Sequence, residues 1–336
     1  MAAAGILSSS VRHPIWVLTY AGKDITVDVS NMAVEVTYSD KEEHLSDELE
    51  VVFEDRDRRW QGPWFPTRGA LVGGLVGYEG VGSLLDCGIF QVDELELKGP
   101  PDSFHLKCIA AGITPSIRTP RSAAYENQTL LQVAQTIAAR QGMTVTGLPQ
   151  SLNVSWARIS QRHETDLHFL HRLAIAHNYD FSIRGTQLVF YARTPLEAQA
   201  PVAIVARTLT KTFEFKTRTQ QIYRSASVAY HNPATKTLIA VQEQDSSSPT
   251  GDDLHIVTRC ETPQQASLKA MGALHDQNKD QVTGRIETEG SVLLVAGVNV
   301  TVQGFGSFDG NYHIESSRHR LERGSGYTTE IEARKL

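Results

Sequence analysis

From Pro14 to about Ala111, apolar and polar residues alternate in short runs broken by Gly, Asp and Asn, which is the period of strands with one buried face. Val34, Val36 and Tyr38 alternate, as do Leu49, Val51 and Phe53. Phe90, Val92, Leu95 and Leu97 do so with one slip, which predicts a bulge. Gly22-Lys23-Asp24 and Gly99-Pro100-Pro101-Asp102 have hairpin-turn chemistry. Between the strands ending near Asp55 and beginning near Leu71 runs RDRRWQGPWFPTRG, whose prolines and glycines exclude regular structure. Its rings, Trp60, Trp64 and Phe65, must either cover one end of their own β unit or dock on a neighbouring subunit.

The period then changes. Asn127 is positioned as the N-cap of a helix carrying Leu130, Ala134, Ile137 and Ala138, with Gly142 as its C-cap. Thr165 caps a second helix bearing Leu167, Leu170, Leu173 and Ala174, followed by strands either side of an Arg184-Gly185 turn. A Pro- and Ala-rich stretch from Thr194 to Pro201 reads as a linker. Strand patterns resume from about Leu209 and are interrupted by one helix, with Thr262 as N-cap, Pro263 at its first position and Gln265 placed for a capping box. The small face of that helix, Ala266, Ala270 and Ala273, suits close approach to a sheet or to another subunit. The order is therefore a β unit over 1–118, an α/β insert over 119–200 and a second β unit over 201–336, a mainly β fold in which both β units are expected to be barrels.

Composition narrows the chemistry. A chain of 336 residues with 40% hydrophobic residues can bury more than one core, and its net charge of −6 gives no footprint for wrapping nucleic acid. Cys87, Cys108 and Cys260 are odd in number and widely spaced, so neither a disulfide framework nor a CxxC metal site fits. The N-terminus, MAAAGILSSSVRHP, lacks a signal-peptide pattern, and no stretch approaches the roughly 20 apolar residues of a membrane helix, so no stable membrane insertion is expected.

No motif implies a catalytic residue, a cofactor or a bound metal. His163, His168, His171 and His177 cluster on or near one helix, but position 167 is Leu where a zincin helix needs its second His, so they read as a solvated face. Gly80-Val81-Gly82 and Gly304-Phe305-Gly306 lack the strand-to-helix context of a phosphate loop, and neither GxxxxGK[ST] nor GxSxG occurs. Asp93-Glu94 and Asp252-Asp253 are adjacent strand residues that point to opposite faces and cannot share a substrate. Arg56, Arg58 and Arg59, mixed with Asp55 and Asp57, form either a solvated loop or Arg–carboxylate pairs across a subunit boundary. The candidate subunit-interface residues are thus Arg56, Arg58, Arg59, Trp60, Trp64, Phe65, Ala266, Ala270 and Ala273.

Four segments together resemble the phage late control D family of tail proteins. They are LEVVFEDRDRRWQGPWFPTRG, DCGIFQVDELELKGPPDSFHLKCIAA, ETDLHFLHRLAIAHNYDFSI and GVNVTVQGFGSFDGNYHIESSRHRLERGSGYTTEIEARK. The resemblance, which extends to the hub-like half of type VI secretion spikes, implies two tail-tube-like β-barrels joined by a small α/β domain. It also implies a homotrimeric baseplate hub of pseudo-sixfold symmetry, joining a hexameric tail tube or tube-initiator protein to a separate central spike protein. Baseplate wedge proteins and a tape measure protein would be further neighbours, and DNA only a passing cargo. Such a protein would assemble in the bacterial cytoplasm and reside in the baseplate of a virion or tail-like particle. A competing reading takes TLLQVAQTIAARQGMTV as a peptidoglycan-binding, LysM-like segment, and another takes the chain as a muralytic tail enzyme.

Overall fold

The computed structural model describes residues 12–42, 46–111, 119–147, 154–232, 236–246, 248 and 251–336. The N-terminal segment read for a signal peptide lies, up to Val11, outside the described residues. The first part of the chain forms β1 (Pro14–Tyr20), β2 (Lys23–Asp24), α1 (Thr26–Val29), β3 (Ala33–Lys41), β4 (Glu48–Glu54), β5 (Leu71–Tyr78), β6 (Val81–Lys98) and β7 (Ser103–Ala110). The middle forms β8 (Arg121–Thr129), α2 (Leu130–Gln141), β9 (Thr144–Thr146), β10 (Ser155–Glu164), α3 (Asp166–Ile175), β11 (Tyr179–Arg184), β12 (Gln187–Ala192) and α4 (Arg193–Glu197). The last part forms β13 (Ala203–Ala206), β14 (Thr210–Thr217), β15 (Tyr223–Asn232), β16 (Thr237–Gln244), β17 (Asp252–Val257) and α5 (Pro263–Asn278). It ends with β18 (Val282–Glu289), β19 (Asn299–Gln303), β20 (Gly310–Glu322) and β21 (Gly326–Lys335).

Alternation translates directly into burial. Leu49, Val51 and Phe53 of β4 are fully buried, while Glu48, Glu50 and Glu54 face outward. The slip in β6 is a register shift against β7 between Val92 and Glu94, and the Gly99–Asp102 turn joins these two strands. Thr165 accepts the N–H of His168 and caps α3, and Gly142 ends α2 in the left-handed conformation that glycine tolerates best. Two capping expectations shift. The N-cap of α2 is Thr129, which closes a capping box with Gln132, whereas Asn127 lies within β8 at a positive φ of 52°. Gln265 receives the N–H of Glu261, one residue before the expected partner, Thr262.

The fold is mainly β with an α/β insert, but the two β units do not stand as separate closed barrels. Among the described residues they share one 13-stranded sheet, whose path runs β14-β18-β21-β20-β3-β4-β7-β6-β5-β1-β2, with β19 on β20 and β13 on β19. The junction lies in β20. Its first residues pair with β19, and beyond a register shift between Ile314 and Ser316 its second half pairs with β3, from Ser316↔Lys41 to Glu322↔Glu35. The strand edge that would close the second unit is therefore spent on joining the first. Leu321 and Tyr327 accordingly sit in the first unit's core with Phe53, Val76 and Phe90.

The middle region packs α2 and α3 around Tyr125, Leu130, Ile137, Phe169, Leu173 and Phe190. A difference from expectation follows in the last part of the chain. Strands β16, β15 and β17 form a sheet of their own, and α5 lays its small face on it: Ala266, Ala270 and Leu274 pack with Ala226, Val228 and Ile239. The back of α5 meets the insert, where a Cβ on Gly272 would stand 2.6 Å from the Ile175 carbonyl oxygen. Within this contact the buried Arg193 donates to Asp180 (2.6 Å) and Asp276 (2.9 Å). No helix among the described residues is long and apolar enough to cross a membrane.

A chain of buried polar groups locks the three parts together. The Asn299 amide nitrogen donates towards the carbonyls of Leu196, Glu197 and Gln199 at 3.2, 3.0 and 2.8 Å, which fixes its orientation. Its oxygen must then accept from His313 Nδ1 at 2.7 Å, and His313 Nε2 meets both Glu42 oxygens at 2.8 and 2.9 Å. A direct side-chain contact thus joins His313 on β20 to Glu42 just beyond β3. Nearby, burial alone would raise the Glu197 carboxyl, but hydrogen bonds and charge from His275 and Arg334 hold it down at about 2.

Two measurements follow. Asn299→Leu strands three carbonyls and His313, so it is expected to cost about 2–4 kcal/mol, read as a lower urea midpoint with an unchanged slope. Burial holds His177 and His319 down at about 4, against an ordinary 6.5. The unfolded chain therefore takes up protons first on acidification, and stability that is intact above about pH 6.5 falls towards pH 4 by about 1.4 kcal/mol per pH unit for each histidine. Urea midpoints between pH 7.5 and 5 should show this slope, and His319→Gln should remove roughly half of it.

Candidate functional site

The 55–70 loop leaves β4 and returns to β5, and one carboxylate organises its start. Asp55 is buried and accepts the backbone N–H of Trp60 and the side-chain amide of Gln61, each at 3.1 Å. This turns the chain inward at Trp60, which is only 4% exposed. The Trp60 ring lies between Phe53 (centroids 4.2 Å apart) and Phe104 (5.4 Å), with Trp64 edge-on at 5.7 Å. Each such aromatic pair is worth about 0.5–1.5 kcal/mol beyond its buried area. Trp60 therefore belongs to its own core, although its indole N–H finds no acceptor among the described residues.

The other ring residues reach the surface. Phe65 contacts Phe104 edge-on yet stays 56% exposed, and the Arg59 guanidinium covers Trp64 at 5.3 Å. Arg56 pairs with Glu54 at 2.9 Å, Arg58 approaches Asp102 at 3.9 Å and Arg59 meets Asp57 at 3.3 Å, all in solvent. Between this loop and the β1–α1 segment opens a cavity of about 370 Å³, walled by Leu18, Tyr20, Val29, Trp60 and Trp64. The loop side of this cavity is legible in the sequence as one aromatic stretch, and the other side is not. Ile25 and Val29, four residues apart beside Leu18, were the available signal.

The remaining candidates resolve into structure. Ala266 and Ala270 are fully buried within the chain, and Ala273 is half-buried. His168 and Arg172 both engage Glu164, at 3.2 and 2.6 Å, while His177 is buried and hydrogen-bonded to the Leu173 carbonyl. Among the described residues no group of three or more His, Cys, Asp or Glu is placed to hold a metal ion. Ser227 lies 2.6 Å from His255 on the exposed β15–β17 surface, but the neighbouring Asp253 is held by Arg224 and Ser225. The three cysteines are buried, and burial pushes the Cys108 thiol up to about 12. What this surface offers is an apolar recess with an aromatic lip, an arrangement suited to docking.

No family model matches the chain. Over 177 residues, 53% of this chain and 44% of the relative, it is 28% identical to a probable baseplate hub protein of Escherichia phage 186. Over 183 residues, 54% of the chain and 46% of the relative, it is 27% identical to the probable baseplate hub protein of Escherichia phage P2. The chain thus spans under half the length of the curated relatives it matches. In fold it is similar to a tail protein of Neisseria meningitidis MC58, with a TM-score of 0.71 at 14% identity, covering 96% of this chain and 97% of that one. The 43 kDa tail protein of prophage MuSo2 from Shewanella oneidensis gives 0.68 at 15% identity, covering 96% and 98%. A type VI secretion component of E. coli gives 0.58 at 12% identity, covering 91% and 74%. In sequence over about half its length this chain resembles probable baseplate hub proteins of two phages, and in fold over nearly all of it, it resembles solved tail proteins.

Proposed function

We propose that the chain is a structural subunit of the baseplate hub of a contractile phage tail or tail-like particle. In this reading three copies form a ring that adapts a hexameric tail tube to a trimeric central spike. The observation that carries it is the shared sheet: strands β1 to β7 of the first β unit and β13, β14 and β18 to β21 of the last part belong to one hydrogen-bonded sheet, so in this reading each chain offers two tube-like walls and three chains offer six. The 119–200 insert stands beside that path as a separate α/β layer. The sequence match to hub proteins supports the same role.

The partners that follow are a second and third copy, the spike, the tube or its initiator, wedge proteins and a tape measure protein, with DNA only as passing cargo. The site of action is the baseplate, after assembly in the bacterial cytoplasm. Shape and interfaces supply the function, without an enzymatic step. Helix α2 spends its apolar face, Leu130, Val133, Ala134, Ile137 and Ala138, inside the insert, which favours this reading over peptidoglycan docking by that helix.

Light scattering of the purified chain, alone and with the spike protein of the same particle, is expected to give a mass three times 37.1 kDa for the hub component. Monomer under every condition would overturn the proposal.

A further inference from the structure

The recess beneath the aromatic lip has an apolar floor and an acidic rim. Leu18 and Val29 are buried at its base, Trp64 and Phe65 form one wall, and Ile25 and Asp28 line it from the β1–α1 segment. Asp24 immediately precedes the lining residue Ile25 in the chain. Asp24 already accepts the Thr26 N–H, whereas Asp28 makes no ion pair among the described residues. An open apolar recess in a close-packed unit leaves its lining without contacts, and such surfaces mark interaction sites.

A complementary feature stands on the second β unit. Val202, Ile204, Leu209 and Phe213 are four of the fourteen exposed large hydrophobic residues described, and they fall within twelve positions. Leu209, 65% exposed, forms the tip, in the 3₁₀ turn Arg207–Leu209 that joins β13 to β14. Two bases flank it: Arg207, which packs over Phe213 and Phe305 at 5.1 and 5.7 Å, and Lys211, which has no ion pair among the described residues. Among the described residues the adjoining strand β14 pairs only with β18 and ends the sheet path, so no described strand extends the sheet beyond it. Lys211, Glu214 and Lys216 on β14 discourage open-ended strand addition, which leaves side-chain insertion as the mode of contact.

We propose that the Leu209 ridge of one copy inserts into the Trp64–Phe65 recess of the next, with Arg207 and Lys211 meeting Asp24 and Asp28. Ridge and recess lie on different β units, so the contact is head-to-tail, and it closes into a ring where its rotation about the axis closes. That closure at three copies rests on the hub reading; the pairing of these two surfaces does not. Apolar insertion supplies the affinity, and the opposed charges supply register and rate of encounter.

Cysteine pairing tests the contact in the full chain, whose own three thiols are buried. Mild oxidation of the Asp28→Cys/Lys211→Cys double variant should give a cross-linked ladder ending at three copies, with neither single variant cross-linking. Charge reversal gives a second readout, since Asp28→Lys or Lys211→Glu alone should weaken association about fivefold at low salt and the pair together should restore it. The proposal is overturned, with the hub reading intact, if the chain associates but the double variant does not cross-link, or if the reversed charges show no mutual rescue. A disulfide joining two copies of the Asp28→Cys single variant would also overturn it, because it would report a symmetric contact. A chain that never associates sinks both readings.

Discussion

Everything in this molecule depends on how β20 divides its hydrogen bonds. A strand has two edges and a finite length, and β20 spends its first half on β19 and its second half on β3, with β21 along its other edge. The bulge between Ile314 and Ser316 marks the change of partner. Next to it, Glu42, His313 and Asn299 place a buried, charge-capable contact where the first unit, the second unit and the segment after the insert converge. Such a group is costly to bury and tolerable only when every partner is in place, so it penalises any register other than the native one.

The second organising contact is the seating of α5 between the β15–β17 sheet and the insert. Alanines on one face let it approach β15 and β16, and Gly272 on another lets the turn after α3 come within backbone distance. Arg193, buried and bonded to Asp180 and Asp276, ties the end of the insert to the same helix. The insert is therefore fastened to α5, which follows it in the chain.

Local features were legible in the sequence because local rules produce them. The inward Leu49, Val51 and Phe53, the bulge in β6 and the caps at Thr165 and Gly142 each depend on residues within a few positions of one another. The choice between Asn127 and Thr129 as helix cap turned on Gln132, whose amide completes the box only for the threonine. Partner choice between distant strands was not legible. No pattern within Ser316–Glu322 names Lys41–Glu35 as its neighbour, and a solvent-facing strand such as Thr210–Thr217 looks alike whether it closes a barrel or ends a sheet. The candidate recess was half visible for the same reason: its aromatic wall is one continuous stretch, but Leu18 and Val29 reach it only through folding.

The joint between the two β units also sets how the subunit bears mechanical load. The seven paired positions from Ser316↔Lys41 to Glu322↔Glu35 lie along the strand axis. A pull parallel to that axis strains them all together, whereas a pull across the sheet peels them from one end, one rung after another. A stiff joint in one direction and a compliant one in the other makes the subunit directional, so its resistance to a thrust depends on how the ring is oriented to it.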